Sequence, residues 1–261
     1  MIRRTFTIAS LFTALLFVLT AASFAGGKPS PTKASATVVD QGSFGIFQNG
    51  QRLATETFTI RQYPDSNVTS SELRSDNGQT TGKVQQTSEL TLLPNGNFSR
   101  YEWKQMIPTH SSATVAASEQ VLSMHVVQDG KTSDQPFFLT PAAFVLDDYF
   151  FSTREVLLWR YLATATCKPR SSGDGCDLTR ERYAVLIPRR HTSSEVFVEF
   201  KGYDDTPLNG RPQRLRHFLM QTDGPDWHLW LDSNHKLVRI SIPDTNTEIL
   251  RQETADAPAH K

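Results

Sequence analysis

The sequence predicts a mainly β protein of α+β type. Its centre is one large curved antiparallel sheet, an open partial barrel of about ten to twelve strands with a central helical insertion. Three observations carry this expectation. Polar and apolar residues alternate with a period of two over most of the chain. Asn-Gly and Asp-Gly pairs recur between the alternating runs, the strongest short signal for a tight hairpin. One stretch, 141–165, replaces both features with helix-start signals and a greasy run.

The first 25 residues precede this pattern. Arg3 and Arg4 form a positive start, Thr5 to Thr20 is uncharged and mainly apolar, and Ser23-Phe24-Ala25 fits a small-x-small cleavage site. This reads as a signal peptide, removed on export, which places the mature chain in the periplasm or outside the cell. Residues 26–40 read as a flexible lead-in around Lys28-Pro29-Ser30-Pro31. A single β-rich domain is expected over 41–252, followed by a disordered tail at 253–261.

Within the domain, Ser43 to Gln48, Asn49-Gly50 and Gln51 to Gln62 form a hairpin that sets Ile46 opposite Leu53. Strands follow at Asn67–Arg74, Lys83–Leu93, Asn97–Ile107, Gln120–Gln128 and Lys131–Leu139. Thr140-Pro141 then starts a helix over Pro141–Phe151, with Pro at the first helical position. Ser152-Thr153-Arg154-Glu155 reads as a capping box for a second helix reaching about Ala165. Leu157, Leu158, Trp159, Tyr161 and Leu162 make that helix apolar over much of its circumference, so it must be buried. Strands resume at Arg182–Ile187 and Glu195–Tyr203, and Asn246–Gln252 closes the run.

The stretch Arg211 to Ile242 reads as three strands joined by turns at Asp223–Asp226 and Asp232–His235. Tight closure would set Thr222 opposite Trp227, Met220 opposite Leu229 and Phe218 opposite Leu231. Across the second turn, Leu229 would face Val238 and Trp227 would face Ile240. One face is then Phe218, Met220, Trp227, Leu229, Leu231, Val238 and Ile240, which must be buried at about 2 kcal/mol per side chain. The other face mixes His217, His228, Asp232 and Arg239 with a ridge of Leu219, Trp230 and Leu237. The buried helix is expected to cover that ridge; otherwise the ridge is the floor of a groove for a lipophilic ligand.

Cys167 and Cys176, nine positions apart in an exported chain, are expected to form a disulfide. Closing so short a loop contributes about 2–3 kcal/mol. Without the leader's Arg3 and Arg4, the 27 basic and 27 acidic residues become 25 and 27, a net charge of −2. That does not favour nucleic acid. The mature chain has no second long apolar run, so no stable membrane insertion is expected after cleavage.

No Gly-x-Ser-x-Gly elbow, His-Glu-x-x-His pair, phosphate-binding Gly loop or calcium loop occurs. In the tight register, His217, Asp232 and His235 fall in one row, and two His with a carboxylate are a known ligand set for iron or zinc. The plainer reading is that Asp232 serves the turn and no cofactor is present.

Gly42–Ile60 (GSFGIFQNGQRLATETFTI) and the late Trp227-His228-Leu229-Trp230-Leu231-Asp232 with Lys236–Ile240 resemble uncharacterised exported bacterial proteins similar to the lipoprotein-carrier half-barrels. The resemblance is one of strand rhythm over most of the mature chain, and no binding residue follows from it. It implies a curved sheet around a helical plug that can hold acyl chains. The expected function is therefore a soluble, non-catalytic exported protein binding a lipophilic molecule or an envelope protein. A metal-dependent enzyme and a structural or interaction module are the alternatives.

Overall fold

The structure of the chain, a computed structural model, describes residues 35–75, 83–118, 120–164, 166–170, 173–208 and 211–252, with backbone alone over 166–170 and 173–177 and at 208 and 211. The expected leader, most of the lead-in and the expected tail lie outside the described residues. The first strand starts at Thr37, inside the stretch expected as lead-in.

Fifteen strands form one sheet, rather than ten to twelve, and a separate two-stranded ribbon stands beside it. The chain enters in the middle of the sheet. β1 (Thr37–Gln48) pairs with β2 (Gln51–Gln62) on one side and with the last strand, β17 (Thr247–Gln252), on the other. One arm runs outward from β2 as a meander of β3 (Asn67–Ser75), β4 (Gln85–Leu92), β5 (Phe98–Ile107), β6 (Ser111–Ala117), β7 (Leu122–Gln128) and β8 (Lys131–Phe137). The chain then passes through β9 (Phe144–Val145), helix α1 (Ser152–Ala163) and the ribbon β10 (Thr166–Arg170) with β11 (Gly173–Asp177). The second arm runs inward through β12 (Glu181–Ile187), β13 (Thr192–Leu208), β14 (Arg211–Gln221), β15 (Trp227–Leu231) and β16 (Leu237–Ile242) to β17. Every pairing is antiparallel except β9 with β12 at the far edge.

The hairpin signals hold where they were strongest. Asn49-Gly50 and Asp129-Gly130 are two-residue turns with φ of 51° and 75°, and 51° and 72°, which suits the twist of the flanking strands. A bulge between Ile46 and Phe47 leaves Leu53 unpaired, so Ile46 faces Ala54, not Leu53. The unexpected strand β6 reads SSATVAA. Its inward side chains, Ala113, Val115 and Ala117, are too small to register as a hydrophobic alternation.

Two helical expectations are corrected. Pro141–Phe151 is not a helix but turns around β9. Ala143, Phe144, Val145 and Leu146 are all buried, and a short continuous apolar run of this kind does not distinguish strand from helix. The second helix exists, but its capping box does not form. Phe151 occupies the cap position with no side-chain cap bond. The cap comes from a strand instead: Glu56 of β2 accepts the N–H of Phe151 at 2.6 Å and of Ser152 at 3.3 Å. Ser152 turns its hydroxyl to Ser71 of β3, 2.8 Å away.

The register of the C-terminal strands is shifted by two from tight closure. Met220 faces Trp227, Phe218 faces Leu229 and Leu229 faces Ile240. The first loop is longer than a tight turn and is tied by Gly224 N–H donating to Thr222 Oγ1 at 3.1 Å. An even shift keeps every side chain on its face, so Phe218, Met220, Trp227, Leu229, Leu231 and Ile240 are buried as the alternation required. A bulge after Trp230 exchanges the next pair: Leu237 joins this core, and Val238 moves to the other face beside Trp230 and Leu215.

The helix covers the core face, not the Leu219–Trp230 face. Tyr161 meets Phe218 edge-on at 6.0 Å, Phe151 meets Trp227 at 6.3 Å, and the buried Arg154 guanidinium lies 4.4 Å from the Trp227 ring centre. One continuous core gathers side chains of both arms, β9 and α1. The sheet is open, yet its far regions approach each other: Gln135 of β8 donates to the carbonyl of His191, between β12 and β13, at 3.3 Å. No described helix is long and apolar enough to cross a membrane.

Candidate functional site

The core has one soft boundary, where the C-terminal half of α1 emerges from it. Leu157 and Leu158 are buried, Trp159, Arg160 and Leu162 are half-buried, and Ala163 is exposed. Two hollows open along this segment. The first, about 370 Å³, is walled by Val39 and Ile60 of β1 and β2, Leu92 at the end of β4, Pro94 just beyond it, and Val156 and Trp159 of the helix. The second, about 450 Å³, lies between the helix, Val39 and the turn Asn234–Lys236. Val39, Trp159 and Ala163 line both. Trp159 is pinned between them by its indole N–H, which donates to the carbonyl of His235 at 2.6 Å. Val39 is free to serve here because a bulge in β1 removes it from the ladder, and it stays 47% exposed.

The floor of the second hollow is charged and buried. Asp40 receives Lys236 Nζ at 2.7 Å and Arg251 Nη2 at 2.7 and 2.8 Å. Burial works against its charge, but Lys236 and Arg251 outweigh this and hold the carboxyl below its ordinary range. Arg251 reaches Asp40 across Gly42, where a Cβ would lie 2.9 Å from its guanidinium and the arginine would have to shift.

Glu155, fully buried behind this group, has Arg251 at 3.5 Å and no hydrogen bond to either carboxylate oxygen. Burial first, then the charge of Asp40, push its carboxyl well above the usual range. A raised carboxyl binds its proton more tightly in the folded state. Its contribution is therefore fully present below the unfolded value and is lost as pH rises. Each unit of elevation costs about 1.4 kcal/mol once both states are ionised. Glu155→Gln should thus stabilise the protein at pH 8, with the advantage shrinking toward pH 4, in denaturant midpoints compared across that range. An advantage that grows on acidification would contradict the assignment.

Other hollows are less suited to an apolar guest. A groove over β2–β5 is lined by Thr57, Thr59, Ser70, Glu72, Glu89 and Lys104, and a 250 Å³ hollow by Trp103, Gln105, Thr109, Gln128 and Arg189 among others.

The residues singled out from sequence are dispersed. Leu219 is half-buried, Trp230 is buried on the face away from the helix, and Leu237 is in the main core. Trp230 stacks on His217 at 4.8 Å, carries Arg239 at 4.7 Å, and donates its indole N–H to Asp204 at 2.9 Å. His217 has Asp204 Oδ2 3.1 Å from Nδ1 and His228 Nδ1 2.9 Å from Nε2, so both its nitrogens are engaged. Burial, opposed by Asp204 and helped by His228, lowers the pKa of His217. Asp232 uses Oδ1 to accept the N–H groups of Asn234 and Lys236, each at 2.8 Å, as a turn aspartate. His235 closes the same turn at φ 62°. His217, Asp232 and His235 are not brought together, and among the described residues no group of three or more His, Cys, Asp or Glu stands ready to hold a metal ion. Cys167 and Cys176 face each other directly across β10 and β11; their side chains lie outside the described residues.

Val39, Asp40, Trp159 and Arg160 carry the hollows and were not singled out as a site. One signal was available: Arg160 is a charge within the apolar run Val156–Leu162. Compared with protein-family models, curated proteins and solved structures, the chain matches none.

Proposed function

We propose that this chain is an exported, soluble, non-catalytic protein whose sheet curls as a partial barrel around α1 and holds a lipophilic ligand beside that helix. The observation that carries this reading is the pair of adjoining hollows where a buried helix surfaces. Apolar side chains from β1, β2, β4 and α1 wall them, and Trp159 stands between. Their volumes fall in the range of about 300–1,000 Å³ usual for small-molecule sites. The resemblance in strand rhythm to lipoprotein-carrier half-barrels points the same way, as does the leader-like start.

The test is a titration with the neutral hydrophobic dye N-phenyl-1-naphthylamine. Saturable binding at one site is expected. Ala163→Trp, at an exposed position lining both hollows, should weaken it at least ten-fold and leave the unfolding midpoint unchanged. Absence of saturable binding, or binding indifferent to this substitution, would overturn the proposal.

A further inference from the structure

Within this same cleft, and resting on the reading just given, we infer that the ligand is an amphiphile with an anionic head group, a carboxylate or a phosphate monoester, held by Arg160.

Among the described residues, the first hollow carries a single formal charge. Its walls are Val39, Ile60, Leu92, Pro94, Val156, Trp159 and Ala163, its rim holds the neutral Gln62, Asn67, Thr69 and Asn95, and its one ionic side chain is Arg160. The guanidinium donates to two backbone carbonyls, Gly96 O at 3.3 Å and Ala142 O at 2.9 Å. The Tyr183 ring centre lies 5.7 Å from it. Carbonyls and a ring orient a guanidinium without neutralising it.

Several other arginines are matched by carboxylates. Arg189 is paired with Asp147, Arg190 with Asp148, Arg239 with Glu248 and Arg251 with Asp40. Among the described residues, Arg160 has no carboxylate within ion-pair distance. Two of its five N–H groups are used, so three remain to donate. A planar fork with donors left over, at the edge of an apolar wall, fits a carboxylate or phosphate oxygen pair. The second hollow is different: Lys236 and Asp40 already neutralise each other there. The geometry thus assigns the head group to the Arg160 side and leaves Trp159, Leu162 and Val39 for the chain.

Four single-chain probes of equal length decide this: dodecanoate, dodecyl phosphate, dodecanol and dodecylammonium. Each is used below its micelle concentration at pH 8 to displace N-phenyl-1-naphthylamine from the full chain. The two anions should compete at least ten-fold more tightly than the alcohol, and the ammonium should be weakest. Arg160→Met, which keeps the apolar stem, should abolish the preference of the anions over dodecanol; Arg160→Lys should retain part of it. With the unaltered protein, dodecanoate should lose its advantage at pH 4 while dodecyl phosphate keeps its own. An alcohol as tight as the acids, or a preference that survives Arg160→Met, overturns the head-group assignment and leaves the cleft standing. Displacement by none of the four removes the cleft itself.

Discussion

Replacing Glu56 with alanine should cost about 3–5 kcal/mol of folding stability, measured by denaturant unfolding. Glu56 is fully buried, on the inward phase of β2 between Phe44 and Leu73 in the neighbouring strands. Its carboxylate accepts the first two N–H groups at the start of α1. Burial pushes the carboxyl upward, against the bonds from Ser152 and Phe151 that favour its charge. Without it, two buried donors lose their partner at about 1–3 kcal/mol each, and a cavity opens beside the helix. No local residue substitutes, because Ser152 is committed to Ser71. Glu56→Gln keeps one acceptor but turns an NH₂ toward the second N–H, so about 1–2 kcal/mol should go. A loss below 1 kcal/mol for the alanine variant would show that the strand does not hold the helix start.

Asp147→Ala should be comparably damaging, again about 3–5 kcal/mol, the usual penalty for breaking a buried ion pair from one side. Asp147 is fully buried. It accepts the Tyr101 hydroxyl at 2.7 Å, Arg189 Nε at 2.7 Å and the Tyr149 N–H at 2.9 Å. Arg189 also donates to Gln86 of β4 at 2.5 Å and lies 4.4 Å from the Trp103 ring centre. One carboxylate therefore ties the segment before the helix to the outgoing arm, through Tyr101, and to the incoming arm, through Arg189. A double-mutant cycle between Asp147→Ala and Tyr101→Phe should give a coupling of about 1 kcal/mol or more. Strict additivity would mean that the two groups do not share one network.

The elements that were legible in sequence share a physical cause. In Thr55-Glu56-Thr57-Phe58-Thr59-Ile60 the threonines mark the outward phase, and the structure buries Glu56, Phe58 and Ile60 together. The same alternation makes Glu56 conspicuous, as a charge in an apolar phase. Its partner was not legible, because the N–H groups it caps lie 95 and 96 residues away. The capping box at Ser152–Glu155 is the converse case. A valid local signal lost to tertiary partners, since Ser71 took the serine and Glu155 was drawn toward Arg251.

The candidate site was the least legible part. Val39 depends on a bulge, Trp159 on where a helix leaves the core, and Arg160 on the lack of a carboxylate nearby, which is a property of the assembled neighbourhood. The Leu219–Trp230–Leu237 ridge failed for a related reason. One extra residue in β16, Val238, moved Leu237 across the sheet, as a period of two makes unavoidable.

Sequence alone determined that this chain builds an antiparallel, hairpin-rich sheet and that the apolar stretch after Ser152 is a buried helix, because alternation, Asn-Gly turns and an apolar helix are local properties. Tertiary structure alone decided that the first and last described strands pair at the sheet's centre, which strand caps the helix and that Arg160 lies where no described carboxylate reaches it. Those outcomes depend on contacts between residues far apart in the chain, whose energies no local pattern encodes.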